Sequence, residues 1–156
     1  MTTSPFVHLH VHSHYSMLDG AIRIDDLIKS CQKYGMDSVA LTDHGAMFGA
    51  LEFYDKATKA GIRPIVGCEF YVAQKGRFKK DQSAGHNFHI VLLAMNKNGY
   101  RNLMKLATAA QTEGFYYKPR IDYELLYELN DDLIALDTHI YTVSGITLKH
   151  VDHLFG

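Results

Sequence analysis

The sequence has 156 residues, a length typical of one domain of ordinary size. Its hydrophobic fraction of 47% suits a packed core, and its net charge of −1 excludes a global basic field for holding nucleic acid, so any phosphate contact must be local. There is no apolar run of membrane-spanning length and no signal-peptide pattern, and two cysteines are too few for a disulfide framework, so we expect a cytoplasmic protein with no membrane contact.

Ten histidines are the unusual feature of the composition, and four of them fall within seven residues. Residues 6–12 alternate between apolar and polar side chains, which predicts a strand. Residues two apart in a strand share a face, so His8, His10 and His12 would point the same way. Histidine is the commonest metal ligand, and this spacing favours convergent ligands, although a lone histidine on a strand is more often a surface or core residue.

Helical spacing and short apolar runs alternate along the rest of the chain. This alternation predicts parallel strands joined by right-handed crossovers, with the active site at the carboxyl ends of the strands. Two loops interrupt the pattern: residues 74–85 are polar and basic, and residues 114–120 are aromatic and basic. The predicted helices span residues 24–34, 48–60, 98–112 and 123–129, and the predicted strands span residues 6–12, 38–41, 64–72, 89–95 and 133–136.

Polar side chains with metal-binding chemistry follow the predicted strands. His12 and Asp19 come after the first strand. His44 comes after the second strand and Glu69 late in the third, whereas His89 is an exception at the start of its strand. Imidazole and carboxylate groups suit divalent transition metals, and Glu69 could bridge two ions with its two oxygens. Two or three ions would clamp a phosphodiester and lower the pKa of a bound water, so the pattern predicts a multi-metal site that cleaves phosphate esters.

Residues 8–20, which read HLHVHSHYSMLDG, resemble the opening motif of the polymerase and histidinol phosphatase (PHP) domain. The resemblance is greatest to the version at the amino terminus of the bacterial replicative DNA polymerase III alpha subunit. It implies an α/β fold, specifically a distorted (β/α)7 barrel of parallel strands with outer helices and up to three metal ions. The blocks that agree in order and spacing are residues 40–45, 48–54, 61–67, 99–103 and 113–120.

The resemblance also implies a set of site residues. Glu69 and His12 would be catalytic, and Glu69 would bridge the ions. His8 stands where many relatives have an acid, so we expect it to support His10 from outside the ligand sphere. Imidazole and carboxylate suit zinc, manganese and iron alike, and two or three such divalent ions are expected. The implied metal ligands are His10, His12, Asp19, His44, Glu69 and His89.

The resemblance weakens after residue 136. There the family usually has a small-residue turn and then a metal-binding cysteine, but His139 stands in the cysteine position and could replace it as a ligand. The final Asp-x-His motif of the family is not recognisable. We therefore predict a PHP domain over residues 1–136 and a diverged or truncated tail over residues 137–156, so that the barrel is incomplete at its carboxy-terminal end. The catalytic parts of a polymerase are not found, and we do not expect this chain to synthesise DNA alone.

Two basic segments could contact DNA. Arg77 and Lys79 could follow a phosphate backbone, although a solvated loop is the alternative. Lys118 and Arg120 stand beside two tyrosines and could hold single-stranded nucleic acid by charge and stacking, or could pack against the rest of a polymerase.

Three functions remain open from the sequence. The first is a hydrolase that acts as a 3′-5′ proofreading exonuclease on the single-stranded 3′ end of DNA, with the remaining polymerase III subunits or domains as partners. The second is a catalytically silent module that stabilises the polymerase or binds its exonuclease partner. The third is a small-molecule phosphatase of the histidinol phosphate type, against which the polymerase-like blocks at residues 99–103 and 117–120 argue.

Overall fold

The computed structural model describes residues 6–17 and 19–137. Each predicted helix is present, with its bounds correct to within two residues, and so is every predicted strand except the first. A short 3-10 turn at Gln82–Ala84 interrupts the loop between the second and third strands. The elements are α1 (Ile24–Lys33), β1 (Ser38–Leu41), α2 (Ala50–Lys59), β2 (Arg63–Ala73), β3 (Asn87–Ala94), α3 (Lys97–Thr112), β4 (Arg120–Ile121), α4 (Tyr123–Glu128) and β5 (Leu133–Asp137).

The first predicted strand is wrong as a regular strand. Residues 6–12 run beside β1, where Ala40 N donates to His8 O and Thr42 N donates to Val11 O. The two donors are two residues apart and the two acceptors are three apart, so a regular ladder cannot form. In addition, Val11 N donates to the hydroxyl of Thr42 at 2.9 Å instead of to a backbone carbonyl. The segment is therefore extended and anchored to β1, but it is not a strand.

The prediction of parallel strands throughout is wrong at β3. The sheet has the order β1-β2-β3-β5, and β4 pairs with β2. β1 and β4 are parallel to β2, whereas β3 is antiparallel to both β2 and β5. The physical reason is the connection after β2, which contains no crossover helix of the kind that a parallel pair requires. The α/β class is confirmed, with a mixed sheet.

Alternation along β2 separates the core from the site. Cys68, Phe70 and Val72 are buried against α3 and α4. Glu69 and Tyr71 lie between them in sequence and therefore point to the opposite face of the sheet. On that face, a small apolar cluster of β1 and β3 residues with partly buried neighbours lies along the strands; it comprises Ala40, Val91, Leu93, Ile65, Ile134 and Leu136.

α1 and α2 pack against the edge of the sheet that β1 forms. The buried positions of α1 recur at helical spacing and pack with β1 and with the buried face of α2. This packing fixes the turn that leaves β1, which carries His44. No helix in residues 6–17 and 19–137 has the length and apolar character needed to cross a membrane. His139 and the predicted tail from residue 138 onward lie outside the described residues.

Candidate metal centre

Glu69 is the centre of the site. Its side chain is 4% exposed, and its two oxygens face different histidines. Oε2 lies 2.7 Å from Nε2 of His10 and 2.8 Å from Nε2 of His12. Oε1 lies 2.5 Å from Nδ1 of His89. One buried carboxylate therefore joins two groups of imidazoles, which is the geometry of a bridging ligand.

A second carboxylate completes the cluster from the loop before α1. Asp19 Oδ2 lies 2.8 Å from Nε2 of His44 and 3.5 Å from Nδ1 of His12. The rings of His12 and His44 are 3.9 Å apart between centroids. The site thus brings together all six residues that the resemblance implied as ligands. Whether they bind metal stays a prediction.

The topology explains how His89 reaches the site. His89 stands near the start of β3, the wrong end for a parallel strand. Antiparallel pairing aligns His89 with Tyr71 and Val91 with Glu69, so the start of β3 lies at the carboxyl end of β2. His44 lies in the turn after β1, and an isolated parallel bridge between His44 and Glu69 holds it beside the carboxylate.

The cluster divides into three overlapping groups whose ligand atoms lie within 4.8 Å of one another. A carboxylate can bind two ions, one with each oxygen, whereas a neutral imidazole has one lone pair and binds one ion. Two groups can therefore be filled together only if Glu69 alone is shared. With that choice His10, His12 and Glu69 would hold one ion, and His44, His89 and Glu69 would hold a second. Asp19 then contacts both groups from the side.

One orphaned atom supports this fit. Nδ1 of His44 is buried and, among the described residues, has no hydrogen-bond partner. It lies 3.6 Å from Oε2 of Glu69. A buried imidazole nitrogen without a partner is unfavourable unless something not in the protein chain satisfies it. A divalent cation between His44 and Glu69 would do so.

Buried hydrogen bonds hold the loop of the first histidines in place. Asp43, 3% exposed, accepts hydrogen bonds from Ser13 N at 2.6 Å and from the Ser16 hydroxyl at 2.7 Å. The Ser16 hydroxyl also accepts from His44 N at 3.1 Å. Asp43 therefore couples the loop of His12 to the turn of His44. Sequence reasoning missed this residue, although a carboxylate directly before a candidate ligand was a usable signal.

The charges of the site suit cation binding. Burial by itself raises the pKa of Glu69, but hydrogen bonds from His12 and His10 outweigh burial and lower the pKa to about 2. A hydrogen bond from His44 lowers the pKa of Asp19. The hydrogen bond to Glu69 raises the pKa of His12 despite partial burial. At neutral pH both carboxylates are ionised, and protons compete with an incoming cation for the imidazole of His12.

His8 lies outside this cluster. It is exposed, and its ring contacts Phe6 edge-on at 4.7 Å between centroids. Its carbonyl accepts from Ala40 N, so its described contacts anchor the segment to β1. The expected support of His10 by His8 stays a prediction.

Two of the four expected DNA-contacting residues are engaged within the protein. Arg120 is 1% exposed, and its guanidinium donates to the carbonyls of Gly114, Arg77 and Lys79. Arg77 forms ion pairs with Asp122 and Glu113, each at 2.8 Å.

The burial and hydrogen bonds of these two arginines leave neither guanidinium free to reach a phosphate, so we correct that expectation for both. Lys79 pairs with Asp81 at 2.9 Å on the surface. Lys118 instead lies over the ring of Tyr71, 5.3 Å from its centroid.

Comparison with known proteins agrees with the fold and identifies the family. The family model of the PHP domain matches residues 8–154. The chain is 50% identical over 134 residues to the DNA polymerase III subunit alpha of Borreliella burgdorferi, covering 85% of this chain and 12% of that protein. It is 47% identical over 138 residues to the DNA polymerase III subunit alpha of Aquifex aeolicus, covering 84% of this chain and 12% of that protein.

The chain also has a fold similar to that of solved structures. One of these is an amidohydrolase from Chromobacterium violaceum, with a TM-score of 0.50 and 26% identity over 67% of this chain and 33% of that one.

The chain therefore belongs to the PHP domain family, as the motif in residues 8–20 predicts. Within that family it matches the PHP domain of DNA polymerase III alpha subunits. It spans about an eighth of the length of these relatives. The matched region extends past residue 136, and the predicted boundary of a diverged tail stays a prediction.

Proposed function

We propose that this PHP domain is a divalent-metal phosphoesterase that removes nucleotides from the single-stranded 3′ end of DNA, in the context of the replicative polymerase. The observation that carries the proposal is Glu69, a buried carboxylate with one oxygen on the pair His10 and His12 and the other on His89. The donor set of imidazoles and carboxylates fits zinc, manganese or iron. We propose two ions on the described residues, with Asp19 beside both of them.

Each side chain of the site would have its own role in holding the ions. Glu69 would hold the two ions at a fixed separation and supply the negative charge that offsets them. His10 and His12 would hold one ion, and His44 and His89 the other. Bound ions of this kind activate water and stabilise the charge that develops on a phosphate in the transition state. Asp19 is the most exposed of the six residues, with 53% of its side chain accessible, so it stands where water and substrate enter.

Hydrolysis by two histidine variants tests this proposal. The chain, loaded with Mn²⁺ or Zn²⁺, should shorten a single-stranded oligonucleotide from its 3′ end. His12→Ala should abolish the activity because it removes a ligand and a partner of Glu69. His14→Ala is the matched control, since His14 is exposed and packs on Tyr15 outside the cluster. Equal activity in both variants would overturn the site assignment.

A silent structural module is the second candidate, and a surface feature favours it. An apolar groove of about 590 Å³ lies between α2 and the ends of β2 and β3, with Leu51 and Tyr54 on its wall. Leu51 is well exposed, as is the neighbouring Phe48. The relatives contain far more chain than this domain, so the occupant that we propose is further polypeptide of the same polymerase. Metal binding without hydrolysis of any phosphate ester would favour this candidate.

The cellular setting follows from the same context. We infer that the chain acts in the cytoplasm, with the other subunits or domains of polymerase III as its partners, because its relatives are replicative polymerase subunits. Comparing rates on a single-stranded oligonucleotide and on histidinol phosphate separates this proposal from a small-molecule phosphatase. Preference for the small ester would contradict it.

A further inference from the structure

Beside the metal centre lies an exposed aromatic turn, residues 115–118. Tyr116 N donates to Lys118 O at 3.1 Å, which closes the turn around Tyr117. Tyr117 has a φ of +58°, a left-handed conformation that a tyrosine rarely adopts. Its ring is 82% exposed, and that of Phe115 is 50% exposed. The turn thus holds a large apolar ring in solvent at a cost in backbone strain.

The aromatic turn is firmly attached to the residues of the metal centre. A Cβ on Gly45 would lie 2.4 Å from Cγ of Pro119, so the proline ring packs directly on the turn that follows His44. The buried guanidinium of Arg120 holds the other side by donating to Gly114 O at 2.9 Å. Tyr117 meets the ring of Tyr116 at 4.6 Å between centroids, yet most of its own ring stays in solvent.

A cation connects the turn to the metal centre. The ammonium of Lys118 lies over the Tyr71 ring. That ring stacks on His44, with 5.8 Å between centroids, and meets His89 edge-on at 4.7 Å. In residues 6–17 and 19–137, no carboxylate forms an ion pair with Lys118. One aromatic ring therefore separates an available positive charge from two of the proposed ligands.

We propose that the aromatic turn is a binding platform for single-stranded nucleic acid, in which a base stacks on Tyr117 and Lys118 binds a phosphate that leads to the metal centre. Stacking on exposed aromatic rings beside a local positive charge is how proteins bind single strands without reading their sequence. The chain as a whole carries no basic field, so a local platform of this kind is needed to hold the strand. The proposal rests on the proposed function for its choice of a nucleic acid as the ligand.

Binding to two oligonucleotides tests the stacking. Fluorescence anisotropy at low salt, in EDTA, measures how tightly the whole chain binds an oligothymidine and an abasic oligonucleotide of equal length and charge. Tyr117→Ala should weaken oligothymidine binding roughly five-fold or more, the range of a lost base–aromatic stack. It should leave abasic binding unchanged. Lys118→Gln should weaken both and flatten their salt dependence.

Two further variants separate binding from folding. Tyr34→Ala is the matched control, because Tyr34 is also exposed, has Lys33 over its ring, and lies near the opposite end of β1. It should bind like the unmodified chain. Tyr117→Gly removes the ring and also the strain at positive φ, so it should raise Tm while it weakens oligothymidine binding.

The proposal is overturned if the unmodified chain does not bind oligothymidine, which would leave a protein partner as the occupant of the turn. It is also overturned if Tyr117→Ala binds oligothymidine normally, or if Tyr117→Ala weakens oligothymidine and abasic binding equally. EDTA removes metal and prevents hydrolysis, so an inactive metal centre leaves these measurements intact. Conversely, normal metal content and hydrolysis in Tyr117→Ala together with normal DNA binding would refute the platform and leave the proposed function standing.

Discussion

Replacing the central carboxylate should empty both metal positions at once. Glu69→Gln keeps the size of the side chain but removes the negative charge and one of the two oxygens. Oε2 serves the group of His10 and His12, and Oε1 serves His89. Loss of a partner outside the ligand sphere already weakens metal affinity about 10- to 100-fold, so loss of a bridging ligand should weaken both ions by at least that much.

The stoichiometry follows from which groups each residue serves. We expect two ions per chain in the unmodified protein, one in His10→Ala, one in His89→Ala, and close to none in Glu69→Gln. The assay is metal content by mass spectrometry after dialysis against a small excess of Mn²⁺ or Zn²⁺. His86→Ala is the matched control, because His86 lies outside every group of candidate ligands among the described residues. Its metal content should not change.

Several patterns of metal content would refute the shared role of Glu69. If Glu69→Gln retains the same single ion as His89→Ala, then Glu69 serves one ion only. Retention of both ions in Glu69→Gln would place the metals elsewhere. Three ions in the unmodified protein would instead make Asp19 a ligand, which Asp19→Asn would reduce to two.

Three more predictions concern stability. Because its neighbours lower the pKa of Glu69 from 4.5 to about 2, this group stabilises the metal-free fold above pH 4.5 and loses that contribution as the pH falls towards 2. Urea unfolding should show a loss of roughly 3 kcal/mol over that range that Glu69→Gln lacks. Arg120→Leu should lower the free energy of unfolding by roughly 3 kcal/mol, since it leaves one buried and two partly buried carbonyls without their donor. Normal stability with lost DNA affinity would instead restore Arg120 as a DNA contact. Gly45→Ala should cost more in thermal unfolding than Gly61→Ala, because both glycines have positive φ but only a Cβ at position 45 would meet Pro119; equal costs would contradict the close packing.

Local pattern was enough to locate the elements and the chemistry. Helical spacing predicted α1 with its buried Ile24, Leu27, Ile28 and Cys31, because that periodicity is a property of neighbouring residues. The motif at residues 8–20 likewise predicted the family, because the ligands of the first loop are close in sequence. These features depend on short separations along the chain, which a single sequence displays directly.

Failures of the sequence reasoning arose where distant segments meet. Alternation predicted a strand at residues 6–12, but its partner Thr42 replaces a backbone bond with a hydroxyl. The charge of Arg120 predicted DNA contact, whereas the fold buries it against the carbonyls of two loops. Neither partner can be read from the residue itself, because hydrogen-bond partners are set by tertiary packing.

The sequence by itself determined that this is a PHP domain with four histidines and two carboxylates as candidate metal ligands. Only the tertiary structure decided how they are arranged. The antiparallel direction of β3 turns His89 from an exception into a neighbour of Glu69. The buried Asp43 ties the loop of His12 to the turn of His44. The physical reason is that strand direction and buried hydrogen bonds depend on contacts across the whole chain, whereas ligand chemistry belongs to each side chain alone.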